Sequence, residues 1–248
     1  MRTSLMLVAM AATSLAAQPA EIHVLVSNGF RAVMEEVRPQ CESAIGHPLA
    51  MEFNSSTALK EKIGSGQAFD VAILTSDVTN DLAKDGKLVS GSTAGVGRGG
   101  IGMGVRKGAA KPDIRTAAAL KQTLLKAKSI TFAQDGASRV FIYKMFDHFG
   151  IADEVKAKLI LEQGSTRAAA KVADGSAEII LTLVSEILPA PGVELVGPLP
   201  SEVQNYISMS AGVGAKAREA DASKALVKFL AGPGIAAALK AKSMEPAH

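Results

Sequence analysis

The sequence predicts an α/β protein that folds as two lobes with a ligand cleft between them. Short apolar runs alternate with helical patterns along most of the chain, which is typical of βαβ units around a parallel sheet. The 248 residues exceed the usual ~100 to 200 of one domain. Glycine-rich residues 97–104 and extended residues 204–210 would let the chain cross twice between the lobes, which creates a hinge.

The first lobe is predicted at residues 18–100 plus 208–248. Apolar runs predict strands at Ile22–Val26, Leu49–Phe53 and Val71–Leu74. Apolar residues at helical spacing predict helices at Phe30–Ala44, Thr57–Ser65 and Asp77–Asp85. The loops at the carboxyl ends of such strands form the binding crevice of an open α/β sheet.

The second lobe is predicted at residues 101–207. An extended segment at Ile101–Arg106 is followed by a helix, a strand and a helix at Thr116–Ala127, Ser129–Ala133 and Ser138–Phe149, and the alternation continues to Leu183. The extended stretch Tyr206–Val213 then leads to helical patterns at Asp221–Ala231 and Gly234–Ala241, which we expect to pack on the first lobe.

The glycine-dense segment Gly95–Gly100 matches the pattern GxGxxG. A dinucleotide site would need this pattern to follow a strand and open a helix, whereas here it precedes an extended segment. A flexible crossover is therefore the expected structure. Neither a zinc-ligand spacing nor a Walker loop occurs in the sequence, so we expect no metal and no cofactor.

The N-terminus predicts an exported protein. A basic start, the apolar stretch Leu5–Ala12 and the small residues Ser14–Ala17 are typical of a secretory signal peptide at residues 1–17. Cys41 has no partner cysteine, so no disulfide is expected. The predicted location of the mature chain is the periplasm, and we expect a monomer.

The charge pattern excludes some classes of partner. The net charge is +3, but the basic residues are scattered among acidic ones, and aromatic residues make up only 4% of the chain, with no tryptophan. Nucleic-acid binding would normally show a concentrated basic stripe. We expect no nucleic-acid partner and no site that stacks sugars.

Four strand-to-helix turns are rich in small hydroxyl or amide residues. They are Ser27-Asn28-Gly29, Asn54-Ser55-Ser56-Thr57, Gly136-Ala137-Ser138-Arg139 and Gly164-Ser165-Thr166-Arg167. Each turn can point backbone N–H groups, hydroxyls and the positive end of a helix dipole at one spot. Helix capping alone would also explain any single turn. Together the four turns indicate a site for a small anion.

Four charged residues near these turns are candidates for further roles. Arg139 and Arg167 follow a hydroxyl at a helix start, where a cation is disfavoured unless an anion lies nearby. Each could bind a carboxylate, or pair with Asp135 or Glu162. Asp135 and Glu186 could act as a general base if they face the cleft, or could be solvated loop acids.

Several of these segments resemble the periplasmic molybdate-binding proteins and their type II extracellular solute-binding relatives. The segments are Val24–Met34, Phe53–Thr57 with Leu59, Phe69–Ile73, the turn before Ser138, Thr166-Arg167 and Ala177–Ser185. The resemblance implies a two-lobed type II periplasmic binding protein fold that clamps an anion and delivers it to an ABC permease in the inner membrane.

The resemblance also implies the ligand contacts. The first family serine falls near Gly29, beside Ser27 and Asn28, and the second corresponds to Ser55, Ser56 or Thr57. The later helix starts fall at Ser138-Arg139 and Thr166-Arg167, and the family tyrosine at Leu183. Because leucine offers no donor and arginine suits carboxylates, we expect an organic carboxylate in preference to molybdate or tungstate.

A last resemblance concerns a subgroup of this family that also contains periplasmic aconitate isomerase. The similar segments are Val184–Pro189 and Pro191–Pro200. The resemblance implies a second hypothesis, an enzyme that shifts an allylic proton of an unsaturated tricarboxylate without a cofactor. Asp135 or Glu186 would then be the base. Binding without conversion remains the first hypothesis, since the same fold serves both functions.

Overall fold

The structure is a computed structural model that describes residues 19–247. The predicted signal peptide at residues 1–17 lies outside the described residues. The strands are β1 (Ile22–Ser27), β2 (Leu49–Asn54), β3 (Val71–Thr75), β4 (Ala94–Arg106), β5 (Ile130–Ala133), β6 (Leu159–Glu162), β7 (Ile179–Leu183), β8 (Val193–Pro198), β9 (Tyr206–Val213) and β10 (Met244–Glu245).

Helices follow most of these strands, as the alternating pattern predicts. They are α1 (Asn28–Ile45), α2 (Ser56–Gly64), α3 (Ser76–Lys84), α4 (Ala117–Lys126), α5 (Arg139–Phe149), α6 (Ala152–Lys156), α7 (Ser165–Ala173), α8 (Val184–Ile187), α9 (Ala220–Leu230) and α10 (Ala236–Ala241). Two of these short helices, α6 and α8, were not separately predicted. Among the described residues, no single helix is long and apolar enough to cross a bilayer.

The strands form two halves with the same design. In the first half, β1 lies parallel to β2 and β3, and β9 runs antiparallel to β3. In the second half, β5 lies parallel to β6 and β7. We call the first group, with the helices on it, the first lobe, and β5 to β8, with their helices, the second lobe. Parallel strands with following helices place the strand-to-helix turns of each lobe at one edge.

The long strand β4 belongs to both halves. Residues 94–100 pair with β9, and residues 101–105 pair with β7. The glycine-dense segment is therefore paired as a strand that crosses from one half to the other, with a register shift between Gly95 and Gly97. Its glycines allow close packing: a Cβ at Gly102 would lie 2.8 Å from Val184, and one at Gly104 would lie 2.9 Å from Ile180. The predicted lobe boundaries and hinges stay a prediction.

Each lobe has its own apolar core. The core of the first lobe contains Val24, Phe30 and Met34, and the C-terminal helices α9 and α10 pack on it. The core of the second lobe contains Phe132 and Phe146. Cys41 is buried in the first core, and burial raises the pKa of its thiol to about 12, so the thiol is a buried apolar group.

Asp70 ties the start of the first sheet to the approach of α9. Its side chain is buried and accepts the backbone N–H groups of His23 at 2.9 Å and of Arg218 at 2.7 Å, one on each carboxyl oxygen. Buried backbone N–H groups must be paired because an unpaired one costs free energy. One carboxylate therefore holds two segments that lie far apart in sequence.

We expect Asp70→Ala to lower the free energy of unfolding by ~2 to 5 kcal/mol, because two buried N–H groups lose their acceptor. Urea unfolding followed by circular dichroism measures the change. Asp221→Ala is the matched control, since the Asp221 side chain is fully exposed and its loss should change stability by less than ~0.5 kcal/mol. Equal stability of the two variants would contradict this role of Asp70.

Candidate functional site

All four predicted turns meet at one small cavity. The turns after β1 and β2 come from the first lobe, and those before α5 and α7 come from the second. The residues that line the cavity are Ser27, Asn28, Gly29, Ser55, Ser56, Ala133, Gly136, Ala137, Ser138, Ser165, Leu183, Glu186 and Met209. The helices α1, α2, α5 and α7 therefore begin at the cavity wall, where the positive ends of their dipoles favour an anion.

The turn after β1 contributes donors from the start of α1. The Ser27 side chain makes no capping hydrogen bond to α1, so its hydroxyl remains available at the cavity. Within residues 19–247 the side-chain oxygen of Asn28 is buried without a partner. The first N–H groups of a helix also lack partners inside the helix. This turn can therefore bind a ligand without losing an internal bond.

The two serines of the second turn are used differently. Ser55 caps α2 by accepting the N–H of Ala58 at 3.1 Å, and its Oγ donates to Asp135 Oδ2 at 2.6 Å. A serine has only one proton to donate, so the Ser55 proton is already in use. Ser56 Oγ accepts the N–H of Thr75 at 3.0 Å, and this bond leaves its own proton for the cavity.

The two turns of the second lobe contribute Ser138 and Ser165. Ser138 is buried, and its side chain makes no capping bond to α5. Ser165 is the first residue of α7, and its Oγ donates to Glu186 Oε1 at 2.8 Å. The sequence places Ser165 in this hydroxyl-rich turn, but the predicted contacts there were Thr166 and Arg167. The Ser165 hydroxyl at the helix start was the signal that could have identified it.

Four other predicted contacts lie outside the cavity lining. Thr57, Arg139, Thr166 and Arg167 are all exposed. The Arg139 guanidinium lies 5.6 Å from the centre of the Tyr143 ring, which is a cation–π contact. The sequence predicted a carboxylate as the partner of Arg139. The cavity lining contains no arginine or lysine. The donors that this cavity offers to an anion therefore come from helix starts and hydroxyls.

Asp135 lies beside the cavity and joins three turns. Its Oδ2 accepts from Ser55 as described, and its Oδ1 accepts the N–H of Gly164 at 2.8 Å. Its backbone carbonyl accepts from Thr57 Oγ1 at 3.4 Å. The bonds from Ser55 and Thr57 to Asp135 therefore connect the first lobe to the second. The Asp135 carboxylate is therefore held by donors of the kind that an anionic ligand would use.

Glu186 lies at the start of α8 and lines the cavity directly. Its Oε1 accepts from Ser165, and its Oε2 accepts from the hydroxyl of Thr182. Burial raises the pKa of the Glu186 carboxyl above its usual range, and the negative charge of Asp135 acts in the same direction, while the two hydroxyl bonds oppose the shift. Glu186 therefore favours its protonated form more than an ordinary glutamate does.

The remaining wall of the cavity is apolar and tightly packed. Leu183 and Met209 are both nearly fully buried there. A Cβ added at Gly29 would lie 2.6 Å from each of them, so a larger residue there would force both side chains to shift. The Gly29 carbonyl also accepts from Ser185 Oγ at 2.8 Å, which joins α1 to the second lobe. Leu183, which was aligned with the family tyrosine, therefore presents an apolar side chain to the cavity.

The cavity is closed and small in this structure. Its volume is about 20 Å³, which is room for about one water molecule. A larger groove of about 740 Å³ begins at the same side chains, because Asn28, Ser165 and Glu186 line both spaces.

Among residues 19–247 no cluster of three or more His, Cys, Asp or Glu could hold a metal ion.

Known proteins share this arrangement of two lobes. The structure superposes on the periplasmic molybdate-binding protein of Azotobacter vinelandii with a TM-score of 0.78, at 18% identity, over 92% of this chain and 100% of the other. The sulfate-binding protein SubI of Mycobacterium tuberculosis gives a TM-score of 0.71 at 16% identity, over 91% of this chain and 86% of the other. The predicted two-lobed type II binding-protein fold is confirmed.

Two curated proteins match at higher sequence identity. Aconitate isomerase of a Pseudomonas species is 30% identical over 239 residues, which cover 94% of this chain and 90% of that protein. The molybdate-binding protein ModA of Azotobacter vinelandii is 27% identical over 231 residues, 91% of this chain and 90% of that protein. Both relatives agree with the predicted resemblance.

The family match covers almost all of the described residues. Residues 22–245 match the family model described as bacterial extracellular solute-binding protein. This range includes every residue that lines the cavity. The chain therefore belongs to the family of bacterial extracellular solute-binding proteins.

Proposed function

We propose that this protein is a periplasmic receptor that binds a small organic carboxylate in the cavity between its lobes and delivers it to an ABC permease. The observation that carries the proposal is the meeting of four helix starts around hydroxyls that lack capping roles, beside an apolar wall. Export to the periplasm is inferred from the family and from the predicted signal peptide. Delivery to a permease is inferred from the family.

The polar side of the cavity suits the charged group of the ligand. The hydroxyls of Ser27, Ser56 and Ser138 can donate to oxygens of an anion, together with N–H groups at the starts of α1 and α5. Hydrogen bonds to a charged group are stronger than bonds between neutral groups. This set of donors can hold a carboxylate without a cationic side chain.

The apolar side favours a ligand with a carbon skeleton. Leu183 and Met209 offer no donor to a fourth oxygen of a tetrahedral oxyanion, and an unsatisfied charged oxygen costs free energy. The same two side chains can contact methylene or vinyl groups favourably. A carboxylate uses the polar side and its carbon chain uses the apolar side, whereas molybdate would leave the apolar wall unused.

A second candidate function is the isomerisation of an unsaturated tricarboxylate, and Glu186 is the observation that favours it. A carboxyl with a raised pKa at the cavity wall is suited to exchange protons with a ligand. In its ionised form it would remove a proton from the allylic carbon, the double bond would shift, and the protonated carboxyl would return the proton to the far carbon of the original double bond. The relative named aconitate isomerase supports this reaction class.

We expect thermal-shift screening to show stabilisation by short carboxylates, because a ligand that binds only the folded state raises the melting temperature. The panel is formate, acetate, succinate, tricarballylate, trans-aconitate, sulfate and molybdate, each with its sodium concentration matched. Stabilisation by molybdate with none by any carboxylate would contradict the proposed ligand class.

We expect Ser138→Ala to raise the Kd of the bound carboxylate by about 10- to 150-fold, because it removes one donor to a charged group, worth ~1.5 to 3 kcal/mol. Isothermal titration calorimetry measures the change. The Ser138 side chain makes no capping bond, so folding should be unaffected. Ser201→Ala, at an exposed serine, is the control and should bind like the parent protein.

The enzyme candidate has its own test. Proton NMR of trans-aconitate incubated with the protein should show conversion to the cis isomer, and Glu186→Gln should abolish conversion while binding persists, because glutamine cannot exchange a proton. Binding of trans-aconitate with no conversion by the parent protein would exclude the isomerase and leave the receptor standing.

A further inference from the structure

The hydroxyl of Ser165 lies at the start of α7 on the cavity wall, where it could donate to a ligand. Instead its Oγ donates to Glu186 Oε1 at 2.8 Å. Thr182, on strand β7, donates to the other carboxyl oxygen. A hydroxyl has one proton and two acceptor lone pairs. While Glu186 is ionised, the only proton of Ser165 is therefore used inside the protein.

A proton on Oε1 of Glu186 would reverse the direction of this bond. A protonated carboxyl has one O–H to donate, and Ser165 Oγ, only 2.8 Å away, can accept it. The Ser165 proton then becomes free to point into the cavity. A single proton on Glu186 would thus remove a negative charge from the cavity wall and add a donor for an anion.

Three acidic residues and one arginine surround Glu186. The charged groups that share the adjoining groove with Glu186 are Arg31 and Glu35 on α1 and Asp174 at the end of α7. Arg31 lies 3.8 Å from Glu35 and 4.2 Å from the centre of the Phe53 ring, so its charge is partly matched. Asp135 adds negative charge from the turn before α5.

We propose that the cavity binds its anion together with one proton, which Glu186 takes up from solvent and which frees the Ser165 hydroxyl for the ligand. This inference rests on the proposed function, since it concerns the same anion in the same cavity. Glu186 acts as a positioning residue through Ser165, and Ser165 becomes a ligand contact. Because the bound anion favours the protonated form of Glu186, affinity falls as pH rises.

The test is calorimetric titration with tricarballylate, which has no double bond to shift, and with molybdate. Titrations cover about pH 7 to 8.5, where the carboxyls of the probe are ionised, including the last one, whose pKa its neighbouring carboxylates raise. Each is run in two buffers of different ionisation enthalpy, so that proton uptake is counted. We expect up to one proton per bound anion, and a Kd that rises by up to tenfold per pH unit.

Two variants separate the steps. Glu186→Gln should bind with a Kd that changes less than about twofold over this range, because glutamine takes up no proton. Ser165→Ala should weaken binding about tenfold at every pH at which the parent protein takes up one proton per anion, because Ser165 donates to the ligand in the protonated bound state throughout that range. Glu194→Gln, at an exposed glutamate paired with Lys111, should keep the pH dependence of the parent protein.

The outcomes are distinguishable. Binding by the parent protein with no proton uptake and a constant Kd would overturn this inference and leave the proposed function intact. Binding by Ser165→Ala as tight as that of the parent protein would overturn the role of Ser165. Absence of binding by both probes would overturn the inference together with the proposed anion site. Circular dichroism and thermal unfolding of each variant confirm that the fold is retained.

Discussion

The site depends on the antiparallel pairing of one long strand with partners from both lobes. Strand β4 pairs with β9 along its first half and with β7 along its second half. It therefore fixes the parallel strands of one lobe relative to those of the other. Because each parallel strand runs into a helix at the same edge, this single constraint brings four helix starts to one point. The glycines of β4 allow neighbouring side chains to pack closely against it.

Much of this arrangement can be predicted from sequence because its signals are local. A buried strand, a hydroxyl-rich turn and a helical pattern follow one another at Ser27, Ser55 and Ser138. These patterns are local, so they can be recognised without knowledge of any distant contact. All three line the cavity. The packing around the glycines of β4 cannot be predicted for the opposite reason. Val184 and Ile180, the close partners of Gly102 and Gly104, lie about eighty residues away, and local sequence does not reveal them.

The direction of side chains is equally hard to predict. Arg139 and Arg167 stand at helix starts as the sequence shows, but both point to solvent and neither lines the cavity. Conversely, Asp135 and Glu186 were ambiguous loop acids in the sequence. Their bonds to Ser55 and Ser165 depend on tertiary placement of separate turns. The resulting site combines neutral donors with internal carboxyls, an unusual balance for a site that binds anions.

The two walls of the cavity have separate tasks. The hydroxyls and helix starts offer donors to an anion, and they belong to the turns that join strands to helices. Leu183 and Met209 contribute shape and carbon surface, and both pack closely against Gly29. Exchanging one or both of these apolar side chains would therefore change the size of the ligand that fits. The donors would stay in place through such changes, so the same scaffold could take new ligands without refolding its turns.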